Sequence, residues 1–429
     1  MQKNKAGGLS GATVDMLIHA PPAAITKMSE IVNSVITNHM YPKLWQSGLL
    51  KLIYKGSGDP EDDKNYRPIQ LTEAMFRLTE TILWRRLQPF LDKTLRDEQG
   101  GFRPHRGTLE QLFILSTLID LATKREKPIF LAFMDIQKAF DSADHDSIIF
   151  KLGLKGADRS SCHLLRSIIS HHQSVLDSSV DPIDILCGVL QGGILSPGLF
   201  DVFIDDIISK EISDQYGVHL TTLSVATLLF ADDTVLASES SNGLQHLLDI
   251  VHQWSLDWGI TFNPSKCAIL ILGRNRPKSV PQFTLGNASL SVVDSATVLG
   301  ITFHSHHAPV REVHSKVSEK LQKLAWILRG NVPVPTRFAS TIWTAKLAPS
   351  LLYGSEVFPL SPNATKVQRQ AARTILGAPM NTSSAAMFEF LSWARVETSA
   401  DIRCLRFANR LKNHFSPLIQ EAFQLNLEM

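Results

Sequence analysis

The chain has 429 residues, 44% of them hydrophobic and 20% charged, enough for two or three domains with real cores. A net charge of only +2 says little about partners, but its spread says more: residues 311–412 hold 15 Lys and Arg against 6 Asp and Glu, so the C-terminal third is a basic block suited to a polyanion. No run of about 18 apolar residues is present to span a membrane, and the N-terminus lacks a signal-peptide core. Cys162, Cys187, Cys267 and Cys404 are far apart and show no zinc spacing, so they read as buried or half-buried thiols of a reducing compartment.

In chain order, a Gly-rich opening (Lys5 to Gly11) precedes helical rhythm from Ala12 to Met40, broken at Pro21-Pro22. Gly48 to Lys55 reads as a strand, followed by a polar loop from Gly56 to Asn65. Lys55 and Arg67 flank that loop as a point charge and a planar fork, a pairing that suits a triphosphate. A helix is predicted from Glu73 to Leu91, with Met75, Leu78, Ile82, Leu83 and Leu87 on its buried face, and another from Thr108 to Ala122.

Pro128 to Met134 is a continuous apolar run, the pattern of a strand buried on both faces. It ends on Asp135, and an acid there is costly unless it is paired or holds a metal. A helix from Asp144 to Leu154 follows. Gly188 to Pro197 is a Gly-rich turn feeding a helix, with Ser196 as N-cap and Pro197 at the first helical position. Phe200, Phe203, Ile204, Ile207 and Ile208 form that helix's buried face. Asp205 and Asp206 within it read as a solvated pair.

Thr227 to Ser238 reads as a β-hairpin whose two apolar arms carry Asp232 and Asp233 at the tip. Such a pair alone is most often a polar turn. A helix from Gly243 to Asp257, strands at Ala268 to Leu272, Ser289 to Val293 and Thr297 to Phe303, and a basic linker from Gly273 to Gln282 come next. From Arg311 the pattern is helical, with Val313, Val317, Leu321, Leu324 and Leu328 in one stripe and Lys316, Lys320 and Lys323 off it. Further helices are expected from Arg337 to Tyr353, Lys366 to Leu376, Ala385 to Trp393 and Asp401 to Lys412.

Asp135 lies about a hundred residues from Asp232 and Asp233. Two neighbouring strands would unite them into an oxygen-ligand site for two Mg²⁺ ions, able to activate a hydroxyl and stabilise in-line phosphoryl displacement.

Six segments, in order, resemble the reverse transcriptase domain of non-LTR (LINE-type) retrotransposons. Asn65 to Ile69 (Asn-Tyr-Arg-Pro-Ile) and Gln99 to Arg106 (Gln-Gly-Gly-Phe-Arg-Pro-His-Arg) are similar to its finger motifs. Phe133 to Asp141 (Phe-Met-Asp-Ile-Gln-Lys-Ala-Phe-Asp) is similar to its first catalytic motif, and Gln191 to Phe200 to its second. Phe230 to Asp233 is similar to its Asp-Asp hairpin, and Gln368 to Gly377 to the region that follows the polymerase core.

The resemblance implies an α+β right-hand polymerase fold: fingers at 1–127, an antiparallel palm at 128–286, a primer-grip hairpin at 287–310 that includes Val298 to Thr302, and a helical thumb and C-terminal region at 311–429. It implies that Asp135 and Asp232 bind Mg²⁺ (or Mn²⁺), with Asp233 beside them. Lys55 and Arg67 would contact the triphosphate, Gln191 would line the nucleotide and template pocket, Phe140 would exclude a ribose 2′-hydroxyl, and Lys266 would be a general acid for pyrophosphate. The implied partners are an RNA template, a DNA primer, target DNA and dNTPs, without a membrane, in an intracellular and expectedly nuclear setting.

The opening Gly-rich stretch departs from the family's Gly-Pro-x-Asp signature. With no room for the usual N-terminal extension or an endonuclease, and no C-terminal zinc knuckle, the expectation is a truncated or recombined copy. An RNA-dependent RNA polymerase would carry an Asp at position 140 and a Ser-Gly motif in place of Gln191 to Pro197. A group II intron enzyme would carry a maturase tail. The alternative from another class is a catalytically inactive, RNA-binding remnant.

Overall fold

The computed structural model describes residues 6–429 except 57, 177–180, 274, 276, 278, 306–316 and 324–333. Its strands are β1 (Ser47–Tyr54), β2 (Tyr66–Leu71), β3 (Ile129–Met134), β4 (Gln173–Val175), β5 (Ile183–Asp184), β6 (Val218–His219), β7 (Ser224–Val225), β8 (Thr227–Phe230), β9 (Asp233–Ser238), β10 (Ala268–Leu272), β11 (Phe283–Leu285), β12 (Ala288–Val292), β13 (Ser295–Val298) and β14 (Ile301–His304). They form a six-stranded sheet in the order β11-β12-β10-β3-β9-β8, a four-stranded sheet in the order β2-β1-β4-β5, and two hairpins.

The larger sheet is organised on β3. All six of its residues are buried, as the unbroken apolar run predicts, and it pairs antiparallel with β9 on one side and β10 on the other. Side chains alternate across a strand, and here the alternation separates two cores. Phe130, Ala132 and Met134 join the helices Ala74–Thr94, His145–Leu154, Ser196–Ile204 and Ser241–Asp257. Ile129, Leu131 and Phe133 face the helix Thr108–Lys124 and the β13–β14 hairpin. Each fully buried aliphatic or aromatic side chain contributes about 1.5–3 kcal/mol, so the central strand is a firmly held place from which to hang an acid.

A third core is helical: Val317, Leu321, Trp343, Leu351, Val367, Ala371 and Trp393 pack together, with the Trp343 and Trp393 rings stacked at 5.0 Å. The Val396–Lys412 helix bridges two cores. Its Val396 and Ala400 belong to this helical body, while Phe407 and Leu411 belong to the Thr108–Lys124 side of the sheet. The terminal helix Pro417–Glu428, absent from the sequence reading, continues along that side. There Glu421 accepts the N–H groups of Thr221, Thr222 and Leu223, and Asp97 accepts from Ser416 Oγ and Leu418 N.

Several expectations are corrected. On the Ala74–Thr94 helix the fully buried stripe runs through Phe76, Thr79, Glu80 and Leu83; Met75, Leu78, Ile82 and Leu87 are only half-buried. The stretch expected as one strand from Thr297 to Phe303 is a hairpin. Leu299 and Gly300 occupy its two-residue turn at φ 48° and 78°, the left-handed pair that such turns require. Ser196 is the first helical residue, not the cap, which is Leu195. Helices at both termini are otherwise close to expectation, with the first rhythm divided into Val14–Ile18 and Pro22–Asn38.

Of the four thiols, all free, Cys187 and Cys404 are exposed rather than buried. In the expected stripe from Arg311, Val317 and Leu321 are buried and Lys320 and Lys323 exposed; Val313, Lys316, Leu324 and Leu328 lie outside the described residues. Among the described residues, no helix is long and apolar enough to cross a membrane.

Candidate active site

The three acids converge. Met134 on β3 is paired with Thr234 on β9, so Asp135 and Asp233 follow at adjoining strand ends. Asp135 is fixed through its backbone: its carbonyl accepts the Asn263 N–H at 2.8 Å and its N–H points to Cys267 Sγ at 3.4 Å. Phe230 pairs with Asp233, which leaves Ala231 and Asp232 as the two-residue loop. Only Asp232 therefore sits on the turn; Asp233 is the first residue of β9.

Ala231 has φ 56°, a left-handed conformation that an L side chain adopts at a cost of about 1–2 kcal/mol. The neighbouring segment holds it there. Gly100 N–H donates to Leu229 O at 2.8 Å, and a Cβ on Gly101 would lie 2.6 Å from Ala231 N, so only glycine lets the two backbones meet. Phe102, next in line, is also left-handed at φ 51°.

The three carboxylates repel one another. Although Asp233 is exposed overall, partial desolvation raises its pKa, and the charges of Asp232 and Asp135 raise it further. The nearby cation is Lys266, whose Nζ lies 3.6 Å from Asp135 Oδ2 and is itself largely in solvent. An all-oxygen, mutually repelling donor set is the chemistry of a hard divalent cation. Among the described residues no group of three or more His, Cys, Asp or Glu is placed to hold a metal ion by itself, so the acids fit such a cation as an open site rather than a closed cage.

Phe140 is linked to the hairpin through Phe102, which follows Gly101 in the chain. The Phe140 ring packs 5.1 Å from Phe200 beneath it and 6.5 Å from the exposed ring of Phe102. Gln191 Nε2 donates to Asp141 Oδ1 at 3.0 Å, and its carbonyl accepts the Gln70 N–H at 3.0 Å. Gly192, at φ 113°, makes the turn behind it.

Lys55 and Arg67 lie apart on the β1–β2 hairpin. Lys55 Nζ donates to Lys64 O at 2.6 Å and Arg67 is exposed; among the described residues no ion pair joins either to the acids.

The pair Asp205-Asp206 is corrected. It lies just past the Ser196–Ile204 helix and is not simply solvated. Asp205 is 2% exposed, pairs with Lys155 and accepts the Arg96 N–H. Asp206 accepts from Lys151 Nζ and from Trp254 Nε1 at 2.9 Å. Lys151 is buried against the rings of Phe203, Trp254 and Trp258, and desolvation lowers its pKa to about 8.

Sequence reasoning passed over three residues near the cleft: Phe102, and the buried acids Glu80 and Asp201. Glu80 follows Phe76 by four residues, the one signal that it faces inward; Asp201 follows Pro197 and Gly198 and carries no such signal.

The solved structure of telomerase from Candida albicans in complex with the TWJ fragment of telomeric RNA matches at a TM-score of 0.50 and 14% identity, covering 92% of this chain and 63% of that one. At that identity the likeness is one of fold: a right-hand polymerase fold, mixed α and β, built on a sheet that is antiparallel through β8, β9, β3 and β10 and parallel between β10 and β12. Residues 55–303 match the family described as reverse transcriptase (RNA-dependent DNA polymerase), and the chain belongs to that family.

Similar curated proteins come from non-LTR elements. One is the RNA-directed DNA polymerase from mobile element jockey of Drosophila melanogaster, 29% identical over 86% of this chain and 42% of that protein. Another is the Pol polyprotein from retrotransposable element R2 of Popillia japonica, 27% identical over 65% of this chain and 47% of that protein. The chain thus spans about half the length of the curated relatives it matches.

Proposed function

We propose that this chain is an RNA-directed DNA polymerase of a non-LTR retrotransposon, extending a DNA primer on an RNA template with dNTPs. The observation that carries the reading is the convergence of Asp135, Asp232 and Asp233 from adjoining strand ends. The family generally uses divalent metals; the reading here is two Mg²⁺ ions, with Mn²⁺ as a substitute. When bound, they supply charge neutralisation at the reacting phosphate and a more acidic primer hydroxyl. Asp135 and Asp232 hold them, with Asp233 as a neighbouring charge.

The primer 3′-hydroxyl gives its proton to solvent, its oxygen bonds to the α-phosphorus, the bond from that phosphorus to the bridging oxygen breaks, and pyrophosphate leaves. Lys266 moves from Asp135 to give pyrophosphate its proton. Lys55 and Arg67 meet the triphosphate as the β1–β2 hairpin approaches, and Gln191 lines the nucleotide and template pocket. In this reading residues 1–127 are fingers, 128–286 palm, 287–310 the primer grip, and the basic helices from 311 a thumb along duplex phosphates, with salt-sensitive binding. Target DNA implies action in the nucleus.

Primer extension by the purified chain on an RNA template tests the reading. No product on any primer–template, with RNA binding retained, would overturn it. Phe140 gives a second test. Phe140→Ala is expected to lower the preference for deoxynucleotides over ribonucleotides by roughly a hundredfold, measured as the ratio of kcat/KM values. An unchanged ratio removes Phe140 as the sugar gate.

A further inference from the structure

We propose that Glu80 is a positioning residue for the nucleotide pocket, holding the Gln191 loop in its working shape from the adjoining helix. The proposal rests on the reading of Gln191 as a pocket residue.

Glu80 lies in the second turn of the Ala74–Thr94 helix and is 2% exposed. Its Oε1 accepts the N–H of Ile194 at 3.2 Å and of Leu195 at 3.4 Å. Those residues immediately precede the Ser196–Ile204 helix. The opening N–H groups of a helix lack intrahelical partners, and here the entry turn takes its acceptor from a different helix more than a hundred residues away in sequence. Other ties of the same turn include the Val189 N–H on the Phe140 carbonyl, the N–H of buried Gln70 on the Gln191 carbonyl, and the Gln191 side chain on Asp141, which is exposed. The carboxyl of Glu80 is the side-chain acceptor for the two N–H groups that lead into the helix.

The packing allows little slack. A Cβ on Gly193 would lie 2.4 Å from Ser196 Oγ and 3.3 Å from Glu80 Oε1. Glu80 Oε2 and the Tyr41 hydroxyl are both buried with no hydrogen-bond partner among the described residues. Two orphaned polar atoms are costly, and their retention here is accounted for if the carboxyl serves the loop. Burial raises the Glu80 pKa to about 7, against the two N–H donors and Arg77. The other groups facing it are the Tyr41 hydroxyl, held neutral by the same burial, and a loop whose residues 190–196 include no titratable side chain. A neutral amide should therefore replace the carboxyl well.

The experiment compares Glu80→Ala, Glu80→Asp and Glu80→Gln with wild type, by steady-state primer extension and by hydrogen exchange of the segment spanning residues 190–196. Ala removes the acceptor and is expected to raise KM for dNTP about tenfold with little change in kcat, and to speed exchange of that segment. Asp withdraws the oxygen by one methylene and is expected to act in the same direction more weakly, so it carries the test if the Ala variant does not fold. Gln keeps Oε1 and is expected to restore both readouts.

Loss of kcat without a KM change, or unaltered exchange at 190–196 in the Ala and Asp variants, overturns the proposal. If wild type extends no primer, the polymerase reading fails instead, and exchange alone decides whether Glu80 holds the loop.

Discussion

Asp232→Asn is expected to cut primer extension by about a thousandfold or more while leaving the fold and RNA binding intact. The substitution is nearly isosteric. Asp232 sits exposed in the two-residue loop between β8 and β9, so no packing is lost. It also removes one of the two like charges that crowd Asp233, so the melting temperature should hold or rise slightly. What it removes is a negative oxygen from a site that would bind a hard cation through carboxylates alone. Asp233→Asn is expected to lose less, because that side chain starts a strand beside the site rather than standing on the turn. Extension assays in Mg²⁺, thermal melts and RNA-binding titrations on the same preparations separate chemistry from folding. Extension by the Asp232→Asn variant within a few-fold of wild type would discard the metal-site assignment.

The largest expected gain in stability comes from Asp201→Asn. Asp201 is 1% exposed on the Ser196–Ile204 helix, and its Oδ1 has no hydrogen-bond partner among the described residues. Burial raises its pKa well above the usual carboxylate range, the charge of Asp205 raises it further, and Arg103 only partly offsets both. The folded protein therefore holds this proton more tightly than the unfolded chain. That contribution to stability is complete below an unfolded carboxyl pKa of about 4 and is lost as pH rises through the folded value.

The amide removes the titration. At pH 8 it should stabilise the protein by about 1–3 kcal/mol, and the advantage should shrink toward pH 5. Urea melts of both proteins at the two pH values check this. A variant less stable than wild type at pH 8 would mean that the carboxylate has a partner worth more than its burial costs.

The sheet was legible because its signals are local. β3 buries both faces, and that leaves an unbroken apolar run. The β8–β9 hairpin has two apolar arms around a short polar link. Even the convergence of Asp135 with the hairpin could be read, since strand ends in one sheet have few places to go and the ordered motifs fixed which strands adjoin. What stayed hidden depends on partners distant in sequence.

Asp205 and Asp206 read as solvated because their cations, Lys155 and Lys151, come from a helix some fifty residues earlier. Glu80 was passed over because helix patterning counts apolar residues, and its buried stripe includes a threonine and a glutamate. The β13–β14 turn was missed because Leu299 accepts a left-handed backbone that sequence rules give to Gly or Asn.

The Val396–Lys412 helix has a mechanical consequence. It is about 25 Å long at 1.5 Å per residue, and it is rooted at one end in the helical C-terminal body and at the other behind the sheet. A pendant lobe on a single tether could swing freely. A lobe anchored through a stiff rod cannot, because displacing one end must bend the rod or drag its far footing. That footing adjoins Glu110, which pairs with Arg410, and the same Thr108–Lys124 helix lies against β3 and β8. Displacement of the helical C-terminal body would thus be felt at the back of the strands whose ends carry the three acids.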